Sequence, residues 1–335
     1  MAAAPMPIAS AVVLQGPKRP QISYDKGGPG GRPFCLEHFM TTIAVIGPGA
    51  IGGTIAAWLA QDPAFSITVC ARTPLDDIRV ETPQGVITAK PEVLTDPGKA
   101  RVVDWVLVAT KTYDVDSTKP WLDRLVGDAT RVAIIQNGVE HVRLFEHLVP
   151  AERLVPVMIN LPAVRSAPGR IVQSRHGIIA VPAGRNGNAL AALFAHTEIE
   201  AAAHADFLSQ VWVKLAGNCA AIVPALTLRA TGPVWSDALE AIVRGLVEEC
   251  VAVGRAEGAD IPEAVIDATV ANARNSREGS VAGSIHADRL AGHQMEVDAR
   301  NGVIVRLGEQ HGIATPMNRV LVTLLAAAGS PWVKS

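Results

Sequence analysis

Thr42-Ile-Ala-Val-Ile46 leads directly into Gly47-Pro-Gly-Ala-Ile-Gly52 and then into Gly53-Thr-Ile-Ala-Ala-Trp-Leu-Ala60, and this stretch decides how the chain is read. The first run is apolar and rich in β-branched residues, which predicts a strand, and the last has the composition of a buried helix. Between them, Gly47, Gly49 and Gly52 keep the G-x-G-x-x-G spacing. The first glycine allows the tight bend, the second lets backbone approach a pyrophosphate, and the third lets helix and strand pack closely. Pro48, Ala50 and Ile51 contribute only backbone to such a turn, so proline is compatible there. Phosphates would rest on the N–H groups opening the helix, aided by its dipole. Three glycines alone are a weak sign, since many loops carry them; strand before and helix after make a dinucleotide site the expectation over a plain structural turn.

Outward from this unit, Ser66–Cys70, Trp105–Ala109 and Arg131–Ile135 read as further strands bounded by turn residues, and strands alternating with helical segments predict a parallel sheet with helices on both faces. About twenty residues beyond the glycines, NAD-binding chains place an acidic residue on the ribose 2′-hydroxyl. Arg72 stands here instead, a guanidinium suited to the 2′-phosphate of NADP(H), the alternative being a solvated surface arginine. Two β-like runs between Arg170 and Ala183 flank Arg175-His-Gly177 and suggest a hairpin closing this region. From Asp206 onward Phe207–Val223, Asp237–Gly258 and His293–Gly312 show helical spacing, with Gly258 and Gly312 placed as stops. The expected organisation is a tail at 1–40, a doubly wound α/β domain of the Rossmann type at 41–205 and an all-α domain at 206–332.

A chain of 335 residues is long enough for two cores with a cleft between them. Its net charge of −2 with interspersed signs and few aromatic residues argues against a nucleic-acid partner. Cys35, Cys70, Cys219 and Cys250 lie far apart, and the histidines form no ligand motif, so reduced thiols, no metal and a cytoplasmic location are expected. No apolar run is long enough to span a bilayer, since Ala189–Ala205 is interrupted by His196, Glu198, Glu200 and His204. The first forty residues are rich in Pro and Gly without periodicity and lack the basic cluster of an export signal, which predicts a poorly ordered tail with Met40 as an alternative start. The apolar helices beyond Asp206 could supply a homodimer interface.

Several polar residues stand out against this frame. Lys111 and Asn137 follow two of the predicted strands, at the carboxyl edge where open parallel sheets bind ligands. Asn137-Gly138 is also a ready turn dipeptide, and the two readings are compatible. Lys214 interrupts the apolar run Val211-Trp-Val-Lys-Leu-Ala216, and Asn218 lies four residues on, so on a helix both meet the same ligand. Spacing alone leaves a snorkelling lysine equally open. Glu296 sits in a helix-like segment with Asp298, Arg300 and Arg306, where a solvated ion-pair network is the plain alternative.

Taken together, the glycine turn, Val108-Ala-Thr-Lys-Thr-Tyr113, Gln136-Asn-Gly-Val-Glu140, Lys214-Leu-Ala-Gly-Asn218, Ser284 with Glu296, Asn301-Gly302 and His311-Gly-Ile-Ala-Thr-Pro316 resemble the ketopantoate reductase (2-dehydropantoate 2-reductase) family over roughly Thr41 to Leu325. The resemblance implies C-terminal helices of the 6-phosphogluconate-dehydrogenase-like kind and NADPH-dependent reduction of ketopantoate to pantoate, in pantothenate and coenzyme A synthesis. It also implies Lys214 as general acid, Glu296 holding substrate and lysine, Ser284 on the substrate carboxylate, Asn218 on the substrate, and Lys111 with Asn137 around the cofactor and reacting centre. Those roles are physically sound, because hydride reaching a carbonyl carbon leaves negative charge on oxygen that an ammonium can stabilise and protonate. Burial should lower the lysine's pKa and a nearby Glu296 should raise it.

Two positions depart from the family pattern, Ile222 and Gly232, where asparagines would meet the hydroxyl end of ketopantoate. On a continuous helix Ile222 would share the face of Lys214 and Asn218, and an apolar side chain there leaves a buried hydroxyl unpaired, at about 1–3 kcal/mol. Three readings follow: ketopantoate reduction; a related 2-hydroxyacid dehydrogenase for another branched or aromatic 2-oxo acid; and a non-catalytic NADP(H)-binding sensor, which would not need the lysine and glutamate.

Overall fold

The computed structural model describes residues 40–328 except 280 and 282, so the expected tail before Met40 lies outside the described residues. From the start of the described chain the elements are β1 (Thr41–Ile46), α1 (Ala50–Leu59), β2 (Phe65–Cys70), β3 (Ile78–Thr82), β4 (Gly85–Ala89), β5 (Glu92–Leu94), β6 (Trp105–Val108), α2 (Lys119–Leu125), β7 (Arg131–Ile134), α3 (His141–Phe145) and β8 (Leu154–Pro156). Six of these strands form one sheet in the order β5-β2-β1-β6-β7-β8, every neighbouring pair parallel. This is the expected Rossmann-type sheet, and the order reverses between β1 and β6, which is where such sheets open a ligand crevice. Between β2 and β5 the chain makes the antiparallel β3–β4 ribbon rather than a helix, a departure from strict alternation.

The chain continues as β9 (Met158–Asn160), β10 (Ala163–Ala167), β11 (Arg170–Gln173), β12 (Gly177–Pro182), α4 (Arg185–Ala192) and β13 (Ile199–His204). The expected hairpin at 170–183 does not form. Strand β11 joins the sheet β10-β11-β3-β4, whereas β12 joins β13-β12-β9. The residues between them carry the chain from one sheet to the other, because the apolar side chains of the two strands find different partners. Ile171 of β11 packs on α1, its Cδ1 2.5 Å from where a Cβ on Gly53 would stand, and Gly177 of β12 lies against Leu161 and Ile199.

These sheets explain why α1 is apolar on every side. It is buried from Gly52 to Leu59, with the parallel sheet on one face and the β10-β11-β3-β4 sheet on another. The polar side-chain atoms this buries find partners: Thr54 Oγ1 donates to Ala50 O at 2.7 Å and Trp58 Nε1 to buried Gln173 Oε1 at 2.9 Å.

Beyond Asp206 the described chain is helical: α5 (Phe207–Cys219), α6 (Ile222–Thr227), α7 (Asp237–Ala256), α8 (Ala264–Arg274), α9 (Gly283–Leu290), a π-helical turn (Asp298–Gly302), α10 (Val303–His311) and α11 (Pro316–Ala327). Side chains of Asp206 and Ser236 cap α5 and α7 by accepting from Ser209 N and Leu239 N. Gly258 and Gly312, at φ +93° and +67°, follow α7 and α10 in the left-handed region where the stops were expected. Two expected helices are shorter than predicted. The Phe207–Val223 helix ends at Cys219, because Pro224 has no N–H for the carbonyl of Ala220 and its ring crowds that group; Val223 N takes the carbonyl instead at 3.2 Å. The 293–312 helix begins only at Asp298.

The helical core gathers around Trp212, Leu246, Val247, Cys250, Val303 and Ile304. No helix among the described residues is long and apolar enough to cross a membrane. Helices α5 and α7 touch at Gly254, where an added Cβ would lie 2.8 and 2.9 Å from the buried Trp212 ring and 2.6 Å from Ile261 Cδ1. G254A is therefore expected to lower stability, overpacking of about 1–3 kcal/mol exceeding the ~1 kcal/mol that alanine gains over glycine in a helix. A shift of the urea midpoint to lower concentration at unchanged m-value is the measurement; an unchanged or raised midpoint contradicts the contact.

Candidate active site

The glycine turn leaves β1 with Gly47 at φ +88°, its N–H held by Cys70 O at 3.1 Å. A Cβ on Gly52 would stand 2.3 Å from Gly47 O, so helix and turn meet closely at that glycine. Gly49, by contrast, has nothing within 4 Å of where its Cβ would be, and no side chain caps α1. Bare N–H groups facing open space are what an anionic phosphate group requires. Arg72 is exposed just beyond β2 and makes no hydrogen bond or ion pair among the described residues.

Lys111 follows β6 and Asn137 follows β7, and Gln136 ties the two loops by donating from Nε2 to Thr110 Oγ1 (3.1 Å) and Lys111 O (3.3 Å). The turn at Asn137-Gly138 is real, with Gly138 at φ +98°, and a Cβ there would lie 2.9 Å from Ala299 O. Only a glycine lets this loop pass so close under the π-helical turn.

Glu296 lies just before that turn, in a stretch without regular structure, and is 4 % exposed. It accepts from Asn137 Nδ2 at 2.9 Å, Thr112 N at 3.1 Å and Lys111 Nζ at 3.4 Å. Burial by itself would raise its pKa, but Lys111, Asn137, Arg300 and Thr112 together hold it below the ordinary carboxylate value. Lys111 also pairs with Asp288 of α9 at 2.7 Å. Burial works against its charge, and Glu296 with Asp288 outweighs that, so its pKa is raised.

Lys214, half-buried on α5, donates to Asn137 Oδ1 at 3.2 Å. Asn137 therefore accepts from the lysine and donates to Glu296, and a flipped amide would mismatch at both ends. Burial first, and the Arg300 charge second, pull the Lys214 pKa down to about 8 against the opposing pull of Glu296. Neighbouring His141 is buried and kept neutral, its pKa lowered to about 4 chiefly by burial. Its Nε2 is 3.0 Å from Gln136 O, and since a carbonyl only accepts, that nitrogen carries the proton.

The structure thus brings Lys111, Asn137, Lys214 and Glu296 into one network. Asn218 lies one turn along α5, half-buried, with no side-chain hydrogen bond among the described residues. Ser284 on α9 is exposed and accepts from Arg300 Nη2 at 2.8 Å. One expectation needs correction. Ile222 does not share the lysine's face: the helix ends before it, and its side chain is 0 % exposed in the helical core. Gly232 is a packing glycine, where a Cβ would stand 2.0 Å from Ser276 O. The solvated network that was the plain alternative for Glu296 forms only in part: Asp298 and Arg306 pair near the surface at 3.0 Å, but Glu296 and Arg300 are buried. Asp288, Thr112 and Arg300 were not anticipated in the site. The one sequence signal was spacing, Ser284 to Asp288 and Glu296 to Arg300 being four residues apart.

A Rossmann-type sheet with an open glycine turn, facing a half-buried lysine and amide and a buried carboxylate across its carboxyl edge, defines the class as a nucleotide-dependent oxidoreductase. Comparison with known proteins narrows it. The family described as ketopantoate reductase PanE/ApbA matches residues 43–186, and its C-terminal part matches residues 206–329. The 2-dehydropantoate 2-reductase of Caulobacter vibrioides is 57% identical over 289 residues, covering 86% of this chain and 99% of that protein. That of Mycobacterium tuberculosis is 36% identical over 291 residues, covering 86% and 98%. Among solved structures, a PanE/ApbA family ketopantoate reductase from Ralstonia eutropha superposes with a TM-score of 0.77 at 28% identity, covering 86% and 98% of the two chains. This chain belongs to the ketopantoate reductase family.

The depressed Lys214 pKa has a consequence for stability. An unfolded lysine stays protonated up to about 10.4, whereas the folded one loses its proton near 8. Below about 8 both states carry the charge and the folded state bears the full cost of burying it; between the two values that cost fades as pH rises. K214M is accordingly expected to melt at a higher temperature than the wild type at pH 7, with the gap narrowing at pH 9.5. Thermal unfolding at both pH values checks this, and a gap independent of pH contradicts it.

Proposed function

We propose that this chain reduces 2-dehydropantoate to pantoate with NADPH, with Lys214 as the proton donor. The observation that carries the reading is the Lys214–Asn137–Glu296 relay, in which a half-buried ammonium is aimed by an amide that a buried carboxylate orients. The names of the Caulobacter and Mycobacterium relatives support the same substrate.

The glycine turn fits a dinucleotide, because the space beside Gly49 is open and the α1 N–H groups are uncapped by side chains. Gly47, Pro48, Gly49, Ala50, Ile51 and Gly52 would hold the pyrophosphate by backbone, Arg72 the 2′-phosphate, and Lys111 with Asn137 the rim of the site near the reacting end. NADPH, when bound, supplies the hydride that reduces the C2 carbonyl carbon. Lys214 donates a hydrogen bond to the carbonyl oxygen and then gives it a proton as charge develops there. With a pKa near 8 it is mostly protonated at neutral pH and yet releases its proton readily. Glu296 keeps Asn137 in the orientation that accepts from the lysine, and its charge offsets part of the cost of burying the ammonium. Ser284 takes the substrate carboxylate, and Asn218 offers an unengaged amide one turn from the lysine. Since Ile222 is enclosed in the core, it gives no ground for preferring a substrate without the hydroxyl.

NADPH consumption followed with ketopantoate and a panel of 2-oxo acids tests the reading. Ketopantoate is expected to be the preferred substrate, and K214A to lower kcat by about 10²–10⁴-fold. Activity limited by the protonated lysine should also fall as pH rises through about 8. No NADPH consumption with any acid in the panel would overturn the enzyme reading, and turnover confined to acids lacking the 4-hydroxyl would overturn the ketopantoate assignment. In a separate comparison, R72A is expected to lose about tenfold or more of the preference for NADPH over NADH, as loss of a charge-assisted contact implies. An unaltered preference removes Arg72 from the cofactor site.

A further inference from the structure

Arg300 is 3 % exposed, yet no carboxylate among the described residues pairs with it within ion-pair distance. Its hydrogen bond to a described residue is the one from Nη2 to Ser284 Oγ at 2.8 Å, and its Nε and Nη1 are buried without a partner among the described residues. Elsewhere arginines of this chain find carboxylates: Arg170 with Asp77, Arg244 with Asp267, Arg306 with Glu140 and Asp298, Arg319 with Glu309. Glu296, four residues before Arg300, is already taken by Asn137, Thr112 and Lys111. The named charged groups of the network are three cations, Lys111, Lys214 and Arg300, against two carboxylates, Asp288 and Glu296. A buried guanidinium left in surplus is costly, and a ligand anion is what would offset it.

The geometry says where that anion would sit. A serine hydroxyl has one proton to give, and because Arg300 occupies Ser284 Oγ as an acceptor, the O–H is left to donate elsewhere. Ser284 is exposed whereas Arg300 is buried behind it, so a ligand reaches the hydroxyl and senses the guanidinium through it. We propose that Arg300 is a positioning residue that makes this site selective for carboxylates, holding Ser284 as a donor and supplying the positive charge that balances the substrate's carboxylate. This rests on the 2-oxo acid reading above and names a determinant within it. Hydroxyl and guanidinium act as one unit: either alone, the serine would be a neutral donor and the arginine an unreachable charge.

The test compares a 2-oxo acid with its uncharged methyl ester, using ketopantoate and methyl ketopantoate, in the wild type, R300M, R300K, S284A and the double variant. R300M is expected to raise KM for the acid about tenfold or more, the size of a lost charge-assisted contact. KM for NADPH and for the ester should stay near the wild-type values, so that the ratio of acid to ester kcat/KM collapses. S284A should collapse the same ratio, the double variant should lose little beyond either single one, and R300K should recover part of it. Equal losses for acid and ester in R300M would mean a merely structural role, and fully additive losses in the double variant would break the link through Ser284; either overturns the proposal. S284A alters an exposed side chain, so it decides the matter even where R300M does not fold: a wild-type acid-to-ester ratio in S284A overturns the proposal by itself. Calorimetric titration of acid and ester onto each protein gives the same comparison without turnover, which separates this proposal from the enzyme reading: absence of NADPH consumption sinks the latter, an unchanged acid preference sinks the former.

Discussion

A carboxylate withdrawn from water must be met by donors, and among the described residues the hydrogen-bond donors to Glu296 all come from the far side of the crevice. Thr112 N, Lys111 Nζ and Asn137 Nδ2 all belong to loops that leave the parallel sheet, whereas Glu296 itself comes from the helical region. The loops and the π-helical turn are therefore held in mutual register by one charge, since leaving it unpaired would cost far more than the conformational freedom it restricts. The Asp288 partner of Lys111 adds a second tie across the same gap. Position and orientation of Asn137, and through it of Lys214, follow from this arrangement.

The other fixed point is α1. Enclosed between two sheets, it has little room to tilt, and its N-terminus is set against the end of β1 by the contact of Gly52 with Gly47. The turn that faces the crevice is thus presented by a helix whose burial, rather than any cap, determines its direction. Glycine is required at Gly47 and Gly52 by backbone angle and close approach, while at Gly49 the requirement is space.

Charge in the site is graded by depth. Lys111, paired with two carboxylates, is held firmly as a cation. Lys214, with an amide for its partner and Arg300 nearby, is the cation most ready to give up its proton. Arg300 does not lose its charge at accessible pH, so the burden of the uncompensated positive charge falls on the lysine beside it. This gradient supplies a physical reason for the proton-donor role proposed for Lys214 that the motif alone does not contain.

Local sequence was enough for four strands of the parallel sheet, the glycine turn and the helix stops at Gly258 and Gly312, because strand periodicity, the glycine spacing and helix stops are properties of neighbouring residues. Pro224 shows a local signal that outweighs apparent periodicity, since the apolar spacing runs through it but the missing N–H does not permit the helix. The paired behaviour of β11 and β12 was not legible, because each strand's apolar face can serve any sheet and only packing chooses which. Lys111, Asn137, Lys214 and Glu296 could be named from their motifs, but which of them touch, and that Arg300 is buried behind Ser284 rather than solvated beside Arg306, depended on the tertiary structure. Burial and pairing are relations between segments far apart in the chain, and no periodicity within one segment encodes whether the charge it carries will meet water or another charge.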